Sequence, residues 1–209
     1  MVLGVPRPRS AGVDASIAAA AIDLLREVGY AKLTMGEVAK RAGVGKDSLY
    51  RRWSSKAALV HEVVFERYPS GYGGAPATGS LLGDVEALTA MLQEANTTPE
   101  AVAAIPGLLG ERGRDPALEA RLQERWYKPM RAGFAAVLDA AHARGEATVP
   151  VAPDLVADVL VGTMLFRINL MRVEADASFA RQLAEFVVRA LTPPAPSLAM
   201  ATSRPGKSP

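Results

Sequence analysis

The first third of the chain consists of short segments in which apolar residues recur at the spacing of one helical face, and glycines separate these segments. The first segment follows Asp14, a residue suited to cap a helix, and it ends at Gly29. Its apolar positions are Ile17, Ala21, Leu24, Leu25 and Val28. A helix with one apolar stripe can bury that stripe only against other elements, so the pattern predicts a small module of packed helices.

Two shorter helical segments follow, with a glycine-containing turn between them. Thr34 and Glu37 have the spacing of a capping box at the start of the first one, which Gly43 ends. The second one runs from Lys46 to about Trp53, and a serine then precedes a fourth helix from Lys56 onward. Two short helices joined in this way form a helix-turn-helix pattern.

Charge is unevenly distributed along the chain. The net charge is only +2, but residues 1–68 hold 11 Lys and Arg against 7 Asp and Glu, whereas residues 69–191 hold 11 against 15. The apolar residues that can join the two short helices are Val38, Ala39, Ala42, Val44 and Leu49. The residues left to project outward are Lys46, Ser48, Tyr50, Arg51 and Arg52. A basic helix face is often merely solvated, but on a helix-turn-helix pattern it indicates double-stranded DNA as the partner.

Two stretches in this region, IAAAAIDLLREVGY and LTMGEVAKRAGVGKDSLYRRWSSKAAL, resemble the N-terminal part of the tetracycline-repressor (TetR) family over about 45 residues. The resemblance implies a sequence-specific transcriptional regulator, most often a repressor, whose third helix enters the major groove. The DNA contacts that it implies are Thr34, Lys46, Ser48, Tyr50, Arg51, Arg52 and Lys56. Of these, Thr34 and Lys56 lie at helix starts, where free N–H groups favour phosphate.

Asp47 departs from the family pattern, in which many members have glycine at this position. Its carboxylate can cap the third helix or accept a hydrogen bond from a cytosine amino group, and we favour the cap. Trp53 lies one helical turn after Leu49, so we expect it in the core rather than on DNA.

The rest of the chain predicts further helices and no strand. Their expected bounds are about 81–95, 99–111, 116–144, 154–173 and 176–191. Pro129 should kink or divide the long one, because proline lacks the N–H of a helical hydrogen bond, and Asp154 can cap the next. Abundant alanine and leucine, with few β-branched runs, also favour an all-α fold.

Residues 116–191 resemble the C-terminal region of a TetR subgroup, in the stretches AAHARGEATVPVAPDLVADVL, VGTMLFRINL and FARQLAEFVVRAL. The resemblance implies a homodimer in which helices 154–173 and 176–191 of two subunits form a four-helix bundle. The periodicity of the sequence also favours a dimer. The first of these helices carries two apolar stripes, whereas packing against a single core requires only one. One stripe is Leu155, Val159, Gly162, Phe166 and Leu170, and the other is Val156, Leu160, Met164 and Met171. The stripe of the last helix is Phe179, Leu183, Phe186, Val187 and Leu191. Burial within a monomer is the alternative.

A small-molecule effector of unknown identity is the second partner that the resemblance implies, in a cavity of the C-terminal helices. Soft and aromatic side chains suit such a cavity, although each of them can equally be plain core. The candidate lining residues are Met91, Trp126, Tyr127, Met130, Phe134, Met164 and Arg167. Arg167 lies in an apolar run, where a buried guanidinium needs a partner: Asp158, a carboxylate across the dimer, or an acidic ligand.

These patterns divide the chain into four parts. We expect a flexible basic arm at 1–13, a DNA-binding domain at 14–68, a ligand-binding and dimerisation domain at 81–191, and a disordered proline-rich tail at 192–209. A loop rich in Gly, Pro and Ser, residues 69–80, precedes the second domain.

Other classes of function find little support in the sequence. Cysteine is absent, and the two histidines, His61 and His142, have no metal-ligand spacing and resemble solvated helix faces. We therefore expect no enzyme and no cofactor or metal. No stretch has the apolar length of a membrane span, so we expect a cytoplasmic protein without membrane partners. A helical bundle that binds another protein is the alternative to a regulator.

Overall fold

The structure is a computed structural model that describes residues 11–65, 74–113 and 115–192. All regular elements in these ranges are helical, which confirms the predicted all-α fold. The helices are α1 (Ala11–Lys32), α2 (Met35–Ala42), α3 (Lys46–Tyr50), α4 (Lys56–Phe65), α5 (Leu81–Thr97), α6 (Pro99–Arg112), α7 (Pro116–Leu122), α8 (Lys128–Ala143), α9 (Pro153–Leu165) and α10 (Ala177–Leu191). Two π-helical turns, Gln123–Tyr127 and Phe166–Leu170, follow α7 and α9.

Helix α1 begins earlier than predicted. It starts at Ala11, so residues 11–13 belong to a helix and not to the predicted arm, whose residues 1–10 lie outside the described ranges. Asp14 therefore lies in the first turn and does not cap the helix. The helix breaks at Gly29, whose φ of 74° lies in the left-handed region that glycine adopts without strain. Val28, placed on the inner face by its spacing, is exposed.

The residues predicted to begin and end α2 do so in the structure, unlike those predicted for α1. The N–H of Glu37 donates to the Thr34 hydroxyl (3.2 Å), which confirms Thr34 as the N-cap. Gly43 ends the helix with a φ of 68°. Helix α3 is shorter than predicted and ends at Tyr50, with a turn rather than a helix at Arg51 and Arg52.

The helix predicted at 116–144 keeps helical backbone angles where α7, the π turn and α8 join, so Pro129 does not divide it. The π turn Gln123–Tyr127 lies just before Pro129, which occupies the first turn of α8. Asp154 does not cap α9, because Ala152 is the N-cap and Asp154 instead pairs with Arg131 (2.8 Å). Thr192 follows α10, and the rest of the predicted tail lies outside the described residues.

Two hydrophobic cores lie side by side. The first joins α1 to α4 with residues of α6 and α7, among them Ala101, Ile105, Leu108, Leu118 and Leu122. The second joins α5, α8, α9 and α10. The DNA-binding module predicted at 14–68 thus shares its core with two helices from beyond the loop. Within the described ranges, no helix combines the length and the hydropathy of a membrane span.

Candidate DNA-binding surface and ligand cavity

The exposed surface of α2 and α3 brings Thr34 and Lys46 together. The Thr34 hydroxyl accepts from the Glu37 N–H and donates to the Glu37 carboxylate (2.8 Å). Gly36 has no side chain, and a Cβ placed on it would lie 3.2 Å from Lys46 Cε and 3.4 Å from Lys46 Nζ. The end of the Lys46 side chain therefore lies against the first turn of α2.

Lys46, Tyr50 and Arg51 are exposed, as predicted. The Tyr50 side chain keeps 52% of its surface accessible. Ser48 is only half-buried, but its hydroxyl accepts a hydrogen bond from Arg52 (2.8 Å). In the part of the chain that the structure describes, neither Lys46 nor Arg51 makes an ion pair.

Arg52 does not project outward, contrary to the sequence prediction. Its Nε donates to Asp14 (2.6 Å), and its Nη1 donates to the backbone carbonyl of Ser48 (3.0 Å). The side chain is only 18% exposed. Arg52 therefore ties the end of α3 to the start of α1, and a phosphate contact would have to compete with these bonds.

Lys56 is also engaged within the protein. Its Nζ donates to the backbone carbonyl of Tyr30 (3.1 Å), lies 4.1 Å from the centre of the Tyr30 ring and is 4.0 Å from the Glu111 carboxylate. These contacts join α1, α4 and α6 at one point. They leave the ammonium poorly placed for DNA.

Asp47 and Trp53 occupy different environments. Asp47 is exposed in the first turn of α3, Gly45 is the N-cap, and no side chain caps this helix. The favoured capping role of Asp47 is therefore wrong, and the contact to cytosine remains untested. Trp53 is buried in the first core, as predicted.

A bidentate ion pair holds α2 against α1. Arg41 donates to both carboxylate oxygens of Glu27, at 2.6 and 2.7 Å. Hydrogen bonding to Arg41 holds the pKa of Glu27 below its usual value. The pair joins the exposed surfaces of α1 and α2.

A cavity of about 80 Å³ lies between the two cores. Its lining comes from α4, α5, α6, α7, the first π turn, α8 and α9, and consists of His61, Phe65, Leu92, Asn96, Ile105, Leu108, Leu109, Leu122, Trp126, Tyr127, Met130, Val161 and Leu165. The Phe65 and Trp126 rings meet edge to face, with centroids 5.2 Å apart. Exposed Leu109 marks the side on which the cavity opens.

Sequence profiles of two families match this chain. The profile described as "Bacterial regulatory proteins, tetR family" matches residues 17–63, and "Tetracyclin repressor-like, C-terminal domain" matches residues 75–187. The chain belongs to the TetR family. It is a DNA-binding transcriptional regulator with a helix-turn-helix, and the resemblance noted in the sequence is confirmed.

The similarity to known regulators extends over most of the chain. The DNA-binding transcriptional repressor TetR of Mycobacteroides abscessus is 30% identical over 181 residues, which cover 86% of this chain and 94% of that protein. The HTH-type transcriptional regulator YdeS of Bacillus subtilis is 29% identical and covers 85% and 88%. Among solved structures, the TetR family regulator SCO0332 superposes with a TM-score of 0.65 at 26% identity, covering 87% and 99%. A TetR regulator of Haloarcula marismortui has the same fold, with a TM-score of 0.71 at 19% identity, covering 88% and 100%.

The cavity of this TetR protein contains only some of the residues predicted for it. Trp126, Tyr127 and Met130 line it. Phe134 and Met164 are buried in the second core instead, and Met91 is partly exposed on α5. The π turn that holds Trp126 and Tyr127 widens the helix at the cavity, which a sequence pattern does not indicate.

Arg167 is neither buried nor part of the cavity. Its Nε donates to the backbone carbonyl of Glu174 (2.9 Å), and its guanidinium stacks on Phe179 at 4.0 Å. Asp158, a predicted partner, lies 3.8 Å from Arg131 instead. Arg167 therefore ties the second π turn to α10.

His61 does not lie on a solvated helix face, so the prediction for this residue is wrong. It is buried against Phe65 and Trp126, with ring centroids at 5.6 and 6.1 Å, and it lines the cavity. Almost every side of helix α4 is buried. The helix therefore has no polar face for periodicity to detect, and only the high apolar content of the segment could have indicated that His61 is buried. His142 is exposed, as expected.

An apolar face of α9, the second π turn and α10 is open to solvent. Leu155, Phe166, Leu170 and Phe186 are exposed on it. The second stripe of α9, Val156, Leu160 and Met164, is buried, whereas Met171 is exposed. The two apolar stripes thus have different environments, and one subunit covers only one of them.

Proposed function

We propose that this regulator is a cytoplasmic homodimer that represses transcription from a palindromic operator and is released by a small, largely apolar ligand. The exposed group of Thr34, Lys46, Tyr50 and Arg51 on α2 and α3 carries the DNA-binding part of this proposal. In this role the protein acts by binding alone and catalyses no reaction.

The chemistry of this surface suits a phosphodiester backbone beside base edges. The Lys46 ammonium and the N–H groups at the start of α2 present positive charge at one point, which favours phosphate. Tyr50 and Arg51, at the end of α3 and just after it, extend the contact toward bases. Because Arg52 and Lys56 have partners within the protein, we assign them to positioning and not to direct contact.

Replacing Lys46 or Tyr50 by alanine is expected to weaken operator binding about tenfold or more, since each removes a contact from an exposed side chain that packs into no core. Gel-shift titration measures the change. Lys128→Ala is the matched control, because Lys128 is exposed on α8 and, among the described residues, forms an ion pair with Glu124 alone. Unchanged affinity in both test variants would remove these residues from the interface.

The operator itself is found by footprinting DNA upstream of the protein's own gene. We expect protection of a two-fold symmetric site and an affinity that falls steeply with salt, because bound phosphates release counterions. Binding that ignores sequence or salt contradicts the proposal.

Dimerisation through α9 and α10, the helices predicted at 154–173 and 176–191, is supported by their uncovered apolar face. Phe186 is 65% exposed in the single chain, an unfavourable state for a large aromatic side chain. A second copy of the same face would cover it symmetrically.

Phe186→Asp is expected to convert the dimer to a monomer, because it places a charge in an apolar interface without a partner. Light scattering measures the mass, and operator affinity should fall at least tenfold as the second half-site is lost. Val28→Asp, at an exposed apolar position of α1, should remain dimeric. A Phe186→Asp protein of unchanged mass would place the interface elsewhere.

Ligand control of DNA binding is supported by the position of the cavity. Its walls include His61 and Phe65 of α4, the helix that follows the helix-turn-helix directly, and Ile105 and Leu108 of α6. Both helices belong to the core of the DNA-binding module. A ligand that moves these walls therefore changes the geometry of the module.

A further inference from the structure

The cavity lining contains a polar side chain with an unused acceptor. Asn96 on α5 is only 6% exposed. Its Nδ2 donates to the backbone carbonyl of Leu92 (2.7 Å), which sets the orientation of the amide. Among the described residues, none donates to its Oδ1. The amide oxygen is thus free to accept a hydrogen bond, and a ligand that fills the cavity without offering a donor would leave it without one.

The surroundings of Asn96 are mostly apolar and partly aromatic. Leucine, isoleucine, valine and methionine side chains form most of the wall, and the rings of Phe65 and Trp126 are inclined at 76° to each other. A water molecule needs two to four polar partners, and most of the lining side chains have no polar atom. A flat apolar molecule fills the space better, provided that it carries a hydrogen-bond donor at one edge.

We propose that the effector is a largely apolar ring compound that donates one N–H or O–H hydrogen bond to Asn96 Oδ1. This inference rests on the proposed function, in which the cavity is the effector site. Asn96 is then the residue that selects donor-bearing ligands over apolar ligands of the same shape, because a ligand without a donor leaves the amide oxygen unsatisfied.

The size of the cavity links binding to movement. An apolar cavity of about 150 Å³ is known to bind benzene, whereas this one holds about 80 Å³. A ring compound that lies wholly inside the cavity therefore requires the walls to move outward. The wall of α4 and α6 is shared with the DNA-binding module, so ring ligands should bind more weakly to the DNA-bound protein.

Three probes of nearly equal shape test the selectivity. Indole presents an N–H donor, benzofuran an acceptor only, and indene neither. Calorimetric titration of the full chain without DNA is expected to give at least tenfold tighter binding of indole than of the other two. Asn96→Leu should remove this preference while still binding indene.

Thr97→Val is the matched control. Thr97 is the next residue on α5, its hydroxyl donates to the carbonyl of Gln93 (2.9 Å) much as Asn96 donates to Leu92, and it lies outside the cavity lining. The indole preference should persist in this variant. Circular dichroism of both variants reports whether the helices remain folded.

Equal affinity for the three probes, no binding of any, or an indole preference that survives Asn96→Leu would each overturn the inference. The readout is independent of DNA. Selective binding without release of the operator would refute ligand control and keep the role of Asn96. Release of the operator by indene as readily as by indole would refute the role of Asn96 and keep ligand control.

Discussion

Asp84→Asn is expected to lower the free energy of unfolding by about 3 kcal/mol, the largest effect that we predict for a single polar side chain here. Asp84 is fully buried at the start of α5. Its Oδ1 accepts from the N–H and the hydroxyl of Thr78 (2.7 and 2.8 Å), and its Oδ2 accepts from Arg144 (3.0 Å). An asparagine amide at this position points its NH₂ group toward either Thr78 or Arg144. Because both of these residues donate to Asp84, the NH₂ group would then face another hydrogen-bond donor.

Urea unfolding at neutral pH measures this loss, and Asp158→Asn is the control. Asp158 is exposed and lies 3.8 Å from Arg131, so its replacement should cost less than about 0.5 kcal/mol. A loss below about 1 kcal/mol in Asp84→Asn would show that the buried bonds contribute little beyond their desolvation.

Lowering the pH should reduce the difference in the free energy of unfolding between the wild type and Asp84→Asn. Burial alone would raise the pKa of Asp84, but the hydrogen bonds from Thr78 and Arg144 hold that pKa below its usual value. The stabilisation is thus present above the unfolded-state pKa of about 3.9 and is lost as the pH falls through the folded-state pKa. Unfolding titrations from pH 6 to pH 2 test this convergence.

Gly107→Ala is expected to destabilise the protein by about 2 kcal/mol or more through overpacking. A Cβ on Gly107 would lie 2.1 Å from Cδ1 of the Tyr30 ring. That ring cannot easily withdraw, because it is buried in the first core and the Lys56 ammonium lies over it. Helix α6 would have to separate from α1, which should also lower operator affinity.

Gly110→Ala provides the control on the same helix. No atom lies within 4 Å of a Cβ placed there, so alanine should stabilise the protein by about 0.5–1 kcal/mol through its higher helix propensity. Thermal unfolding of both variants separates packing from propensity. If Gly107→Ala also raised the melting temperature, the close contact between α1 and α6 would not constrain the fold.

Features that depend on neighbouring residues were predicted in part. The Thr34 cap and the end of α2 at Gly43 follow from backbone chemistry within one or two turns, whereas the caps predicted at Asp14, Asp47 and Asp154 are wrong. The position of Trp53 in the core followed from its spacing after Leu49.

Features that depend on distant partners were not predicted. Arg52 is bound by Asp14, which lies 38 residues earlier in the chain, and Lys56 by Tyr30, which lies 26 residues earlier. His61 was predicted to be solvated because a histidine next to a glutamate is typical of an exposed helix face. It is buried because other helices and Trp126 of the first π turn pack around α4, and those contacts come from distant parts of the chain.

Local patterns were sufficient to recognise an all-α TetR regulator with its helix-turn-helix in the first third, since helical periodicity and glycine positions act over a few residues. Tertiary packing decided which basic side chains remain exposed and which residues face the cavity. Lys46 and Arg51 stay exposed while Arg52 and Lys56 are bound internally, and Asn96 reaches the cavity because α5 packs there. These outcomes depend on contacts between residues far apart in the chain, which no local pattern encodes.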